Sequence, residues 1–167
     1  MPRIIFAMLL VVLALLQTTV LPMVHWLSIT PNLVLVSLLL WSAVRQPREG
    51  LVWAFGAGIF LDLLTLSPLG GEALALLPVV VIGWLSRGRF FQSGLLFPLL
   101  MTLAASLAHD LVLVGLSPLL GRHLTLVGIM RLGILGALLN SLFVPLLYLV
   151  VQVLERWMGQ VEAHART

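Results

Sequence analysis

The sequence predicts an all-α integral membrane protein, a single polytopic domain over residues 1–167 with six transmembrane helices and both termini in the cytoplasm. Three observations carry this expectation. Of the 167 residues, 61% are hydrophobic and only 9% charged, against roughly 25% charged in a soluble domain. Mean hydropathy is +1.17. The apolar residues fall in successive runs separated by short polar or Gly/Pro-containing connections, and at about 20 residues per span the length leaves no room for a soluble domain.

The first run covers residues 4–24 and follows Arg3. It is longer than the roughly 7–15 residues of a secretory signal core, and no small-x-small cleavage site follows, so it reads as a span. The second covers 28–44, with Thr30 placed as N-cap and Pro31 at the first helical position. The third covers 50–66 and ends in the turn-forming Ser67, Pro68, Gly70 and Gly71. The fourth, 73–86, is expected to bend at Pro78; the fifth and sixth cover 95–116 and 131–153.

Every basic residue is Arg, and their distribution orients the bundle. With the N-terminus inside, cytoplasmic segments hold Arg3, Arg45, Arg48, Arg87, Arg89, Arg156 and Arg166, and outer segments hold Arg122 and Arg131, seven against two. This topology accounts for the net charge of +3 without a nucleic-acid partner. Trp26, Trp41, Trp53, Trp84 and Trp157 fall near expected span ends, as in an interfacial aromatic belt. Without Cys there are no disulfides and no thiolate chemistry, and the four His are isolated. Neither a phosphate-binding glycine loop nor a nucleophile elbow is present, so no enzyme, cofactor or metal site is expected.

The informative residues are the small and polar ones inside the apolar runs. Gly50, Ala54, Gly58 and Asp62 recur every four residues on one helix face, where small side chains admit a neighbouring backbone and the row ends in a carboxylate. A charge in lipid is costly, so Asp62 must face protein, and it requires a cation, a hydrogen-bond donor or a proton. Thr102, Ser106 and Asp110 form a polar stripe with His109 beside it, and Arg131 is a candidate partner for Asp110. Gly133, Ala137 and Ser141 form a second small-residue face with Gly136 and Asn140 adjacent. Together with Gln17 and Asn32 these residues describe a polar seam near the outer side. Such a seam serves helix packing, a ligand pocket or an ion path. The acids are few and lie toward one side, which favours the first two. The shared Leu-Ser-Pro-Leu after Asp62 and Asp110 hints at a duplication, although Ser-Pro is also an ordinary helix-ending turn.

Gln17-Thr18-Thr19, Pro31-Asn32-Leu33-Val34-Leu35, the segment Gly56-Ala57-Gly58-Ile59-Phe60-Leu61-Asp62 and then Leu69-Gly70-Gly71 resemble the rod shape-determining protein MreD family over essentially the whole chain. Asn32 departs from the Asp that the family commonly carries after the Pro. The resemblance implies a noncatalytic scaffold or regulatory subunit of the bacterial cell-elongation and peptidoglycan-synthesis machinery in the inner membrane. Its implied partner is MreC, with RodA, a class B penicillin-binding transpeptidase and the MreB cytoskeleton linked indirectly, membrane lipid around it and a homodimer as a possible state. The family is also similar in architecture to the six-helix substrate-binding subunits of energy-coupling-factor transporters. That similarity implies an outward cavity, and the alternative function is a small-molecule-binding subunit of a transporter.

Overall fold

A computed structural model describes residues 2–23, 30–89, 94–119 and 126–164, the side chains of 2, 126–132 and 154–164 excepted. The described elements are all helical: α1 (Pro2–Leu15), α2 (Leu33–Val44), α3 (Pro47–Leu64), α4 (Gly71–Ala75), α5 (Leu77–Leu85), α6 (Leu96–Leu116) and α7 (Leu126–His164). The helix of α1 continues as a π-helical segment, Leu16–Val20, and a 3₁₀ turn, Leu21–Met23. There Thr18 donates to the carbonyl of Ala14 and Thr19 to that of Leu15, a local competition that loosens regular α geometry.

At the centre stands α2, packed by α1, α3, α5, α6 and α7. Its residues from Leu33 to Ala43 are all buried, as expected of a helix that is apolar all round. Trp41 is therefore core and not part of an aromatic belt: it is 1% exposed and stacks on Phe6 of α1 at 3.8 Å between ring centroids. Trp53 meets Phe6 edge-on at 5.8 Å. Trp84 is exposed, and the side chains of Trp26 and Trp157 lie outside the described residues.

Helix boundaries follow local chemistry. The cap of α2 is Asn32 and not Thr30: Asn32 is non-helical, and its Oδ1 accepts from the Leu35 N–H at 2.9 Å. Beyond Arg45 the chain is extended at Gln46, the residue before Pro47, and Pro47 then opens α3 earlier than Gly50. The fourth apolar run is two helices separated at Leu76. Pro78 lacks the N–H that would continue the α4 ladder to Leu74, so the interruption falls before the proline. The last helix extends beyond its apolar part, Gly133–Val153, and contains Pro145.

Contacts fix the helix directions. Phe6 lies beside Trp41 and Gln17 beside Val34, so α1 runs against α2. Glu72 at the start of α4 lines one cavity with Asn32 at the start of α2, and Gly83 of α5 approaches the Leu39 carbonyl and Ser42 late in α2, so the α4–α5 segment runs with α2. The same cavity is lined by the early part of α2 and α7 but the late part of α1, α3 and α6. With α4 and α5 taken as one segment, the described helices alternate in direction along the chain. Among the described residues three segments are long and apolar enough to cross a membrane: Arg3–Met23, Leu96–Leu116 and Gly133–Val153. The other apolar segments, Leu33–Val44 and Gly71–Leu85, are shorter, and α3 carries Arg48, Glu49 and Asp62.

Candidate functional site: a polar cavity at the α2 N-terminus

The first N–H groups of any α-helix have no partner within it. In α2 this terminus is buried among apolar helices, and side-chain amides from three separate segments satisfy it. The Asn32 N–H donates to Asn140 Oδ1 at 2.6 Å, the Val34 N–H to Gln17 Oε1 at 3.1 Å, and the Leu35 N–H to Asn32 itself. Asn140 completes its own bonding by donating from Nδ2 to Ser106 Oγ at 2.9 Å. One amide therefore ties α7 to both α2 and α6.

Around this cluster lies a cavity of about 520 Å³ lined by Gln17, Asn32, His109, Asp110, Gly133, Gly136 and Asn140, with Pro22 and Thr30 at its exposed edge. His109, 5% exposed, is held between two carboxylates: Nε2 is 2.9 Å from Glu72 Oε2 and Nδ1 is 3.0 Å from Asp110 Oδ1. Each contact requires a proton between nitrogen and oxygen, so the three groups with both bonds formed hold two protons and one net negative charge. The carboxylates engage opposite edges of the ring and do not converge on a point. Accordingly, no group of three His, Cys, Asp or Glu among the described residues is placed to hold a metal ion.

Asp62 is 1% exposed and does not line the cavity. Its two oxygens accept from the Gly70 N–H at 2.7 Å and the Glu72 N–H at 3.1 Å, so the donors it requires come from the chain's own α3–α4 connection. Gly58, one turn earlier, packs against α4 itself: a Cβ there would overlap the backbone of Ala73. Close contact at Gly58 and capping by Asp62 fix the start of α4, and with it Glu72. Gly50 packs against Ser42 and Val80, and Ala54 lies in the core.

The remaining expected residues divide. Ser106 belongs to the amide cluster, whereas Thr102 is buried and bonds back to the Pro98 carbonyl. Gly133 leaves room for Asp110, since a Cβ there would sit 2.6 Å from Oδ2. Gly136 lines the cavity, Ala137 is buried, and the Ser141 hydroxyl bonds to the Ala137 carbonyl. The side chain of Arg131 lies outside the described residues. Glu72 was not expected at the site. Its signal in the sequence is an acid directly after the Gly70-Gly71 turn that Asp62 closes.

The model of the rod shape-determining protein MreD family matches residues 2–154 of the chain. No curated protein and no solved structure matches it.

Proposed function

The chain belongs to the MreD family of rod shape-determining membrane proteins, and from that premise we propose that it is a noncatalytic scaffold of the cell-elongation complex. It binds MreC and, through it, acts with RodA, the class B transpeptidase and MreB. On this reading the single domain crosses the inner membrane six times with both termini in the cytoplasm, and its cavity faces outward, as in the substrate-binding subunits of energy-coupling-factor transporters. The alternating helix directions support the six crossings. So does the position of Arg3, Arg45 and Arg48 at the end of the bundle away from the cavity. The short α2 crosses inside the bundle, enclosed by its neighbours, whereas α3 keeps one exposed apolar face.

The observation that carries the scaffold reading is the cavity itself. It has the volume to receive side chains of an inserted segment, while its polar groups are already bonded to one another. A segment of MreC seated there bridges α1, α2, α6 and α7 and senses their spacing. The small-residue face of Gly133, Gly136 and Ala137 on α7 allows that segment, or a second copy of the chain, to approach closely.

The test is affinity purification of the tagged chain in mild detergent, with mass spectrometry of bound proteins and small molecules. Stoichiometric MreC is expected, lost when Gly136→Phe fills the cavity and kept with Gly56→Phe on the exposed face. A retained metabolite together with an ATPase module, and no MreC, overturns the scaffold in favour of a transport subunit.

A further inference from the structure

A neutral imidazole has one N–H and one lone pair, whereas an imidazolium has two N–H groups. His109 meets a carboxylate at each nitrogen, Glu72 Oε2 at 2.9 Å from Nε2 and Asp110 Oδ1 at 3.0 Å from Nδ1. With two protons among the three groups both bonds form. With one proton fewer the ring donates to a single carboxylate, and the other faces a lone pair. A third proton, carried by a carboxyl group, still leaves an acceptor oxygen for each N–H. The arrangement is therefore closed when protonated and opens on deprotonation.

The two carboxylates are not equivalent. Asp110 follows His109 directly in α6 and is confined by α7, since a Cβ on Gly133 would stand 2.6 Å from its Oδ2. Glu72 reaches across from α4 on a longer side chain. When one N–H remains, Asp110 keeps it and Glu72 is released. The Glu72 backbone stays in place, because Asp62 accepts its N–H and Gly58 packs on Ala73; the movement is one of side chains. Glu72 lines the cavity, and its side chain is 23% exposed against 6% for His109. The freed carboxylate therefore turns into the cavity, and the three groups pass from one net negative charge to two.

Among the described residues the ionisable groups at this place are the three themselves and Asp62 of α3, which is occupied by the N–H groups of Gly70 and Glu72. The segments of α1, α2 and α7 that line the cavity contribute Gln17, Asn32, Asn140 and glycines, none of which titrates. Arg131 stands two residues before Gly133 on α7, with its side chain outside the described residues.

We propose that Glu72, His109 and Asp110 form a proton-operated clasp between α4 and α6 that sets the charge and the free space of the cavity. Closed, it holds Glu72 against α6. Open, it has lost the Nε2 proton to water at the exposed edge of the cavity, beside Pro22 and Thr30, and presents a second negative charge to whatever is seated there. Binding in the cavity is thereby linked to pH. The clasp rests on the geometry of the three residues and holds whether or not MreC is what the cavity receives.

The test is a double-mutant cycle of Glu72→Ala and His109→Ala, read from denaturant unfolding of the full chain in mild detergent at about pH 6 and about pH 10. A coupling of about tenfold in the unfolding constant is expected at the lower pH and none at the higher. In an Asp110→Asn background the single N–H of the neutral ring has one carboxylate to serve, while the introduced amide donates to the other nitrogen. There the coupling should persist at the higher pH. Arg131→Gln should leave the pH dependence in place. Nitrogen-15 NMR of the wild type labelled at histidine, with His109 assigned by its loss in His109→Ala, should show both ring nitrogens protonated at the lower pH and Nδ1 alone at the higher. A wild-type coupling that does not change with pH overturns the clasp. So does a coupling lost at the higher pH in the Asp110→Asn background as it is in the wild type, or a pH dependence that disappears with Arg131→Gln. A His109 ring with a single N–H at both pH values overturns it without recourse to any variant that fails to fold.

Discussion

Asn140 Oδ1 accepts the backbone N–H of Asn32 at 2.6 Å, joining the middle of α7 to the first turn of α2 across more than a hundred residues of sequence. Because the same amide donates to Ser106, Asn140→Leu strands a buried donor on α2 and a hydroxyl on α6. A loss of about 2 kcal/mol is expected, read as unfolding in detergent with increasing denaturant. Asn140→Asp keeps the acceptor toward Asn32 and should lose less.

Asp62 supports two backbone N–H groups of the α3–α4 connection. Asp62→Ala removes both acceptors and is expected to cost about 1.5–3 kcal/mol, the range for hydrogen bonds to a charged group. Asp62→Asn retains one acceptor oxygen and should fall between wild type and Ala. Limited proteolysis at 65–70 provides a second readout, with cleavage fastest in the Ala variant.

Two glycines in one helix should respond oppositely to enlargement. A side chain at Gly58 meets the Ala73 backbone, whereas Gly56 has open space around it. Gly58→Leu is expected to abolish the monodisperse folded peak in size-exclusion chromatography, and Gly56→Leu to leave it unchanged. Equal behaviour of the two would place the α3–α4 contact elsewhere.

Glu72 and His109 come from elements separated by 37 positions and meet at 2.9 Å. Their substitutions should therefore be non-additive. In a double-mutant cycle of Glu72→Gln and His109→Gln, a coupling of about 0.5–3 kcal/mol is expected, against near zero for Glu72→Gln combined with Thr102→Val.

The legible part of this molecule is the part written in local spacing. Gly50, Ala54, Gly58 and Asp62 share a helix face because they recur every turn, and all four are buried. Polar residues in apolar runs must find partners in the protein, which is why Gln17, Asn32, His109, Asp110 and Asn140 gather at one cavity. What they bond to was not legible. Asp62 needed a donor, and nothing local distinguishes an Arg from the N–H groups of the following turn. The meeting of Glu72 with His109 depends on how α4 packs on α6, which local spacing does not encode. Trp41 resembles an interfacial residue because its position near a helix end is local, while its burial depends on the packing of other helices, α1 with Phe6 among them, against α2.

The enclosure of α2 also bears on how the protein is made. Its 12 residues extend about 18 Å, well short of a hydrocarbon core of about 30 Å, so it is poorly suited to a lipid environment by itself. It leaves the ribosome directly after α1, and the Phe6–Trp41 stack and the Gln17–Val34 bond join the two. The later helices, α3 and α5 to α7, supply the rest of its enclosure. The order of synthesis thus delivers the centre before the wall, and a circular permutant that made α1 last would have to insert α2 without its first companion.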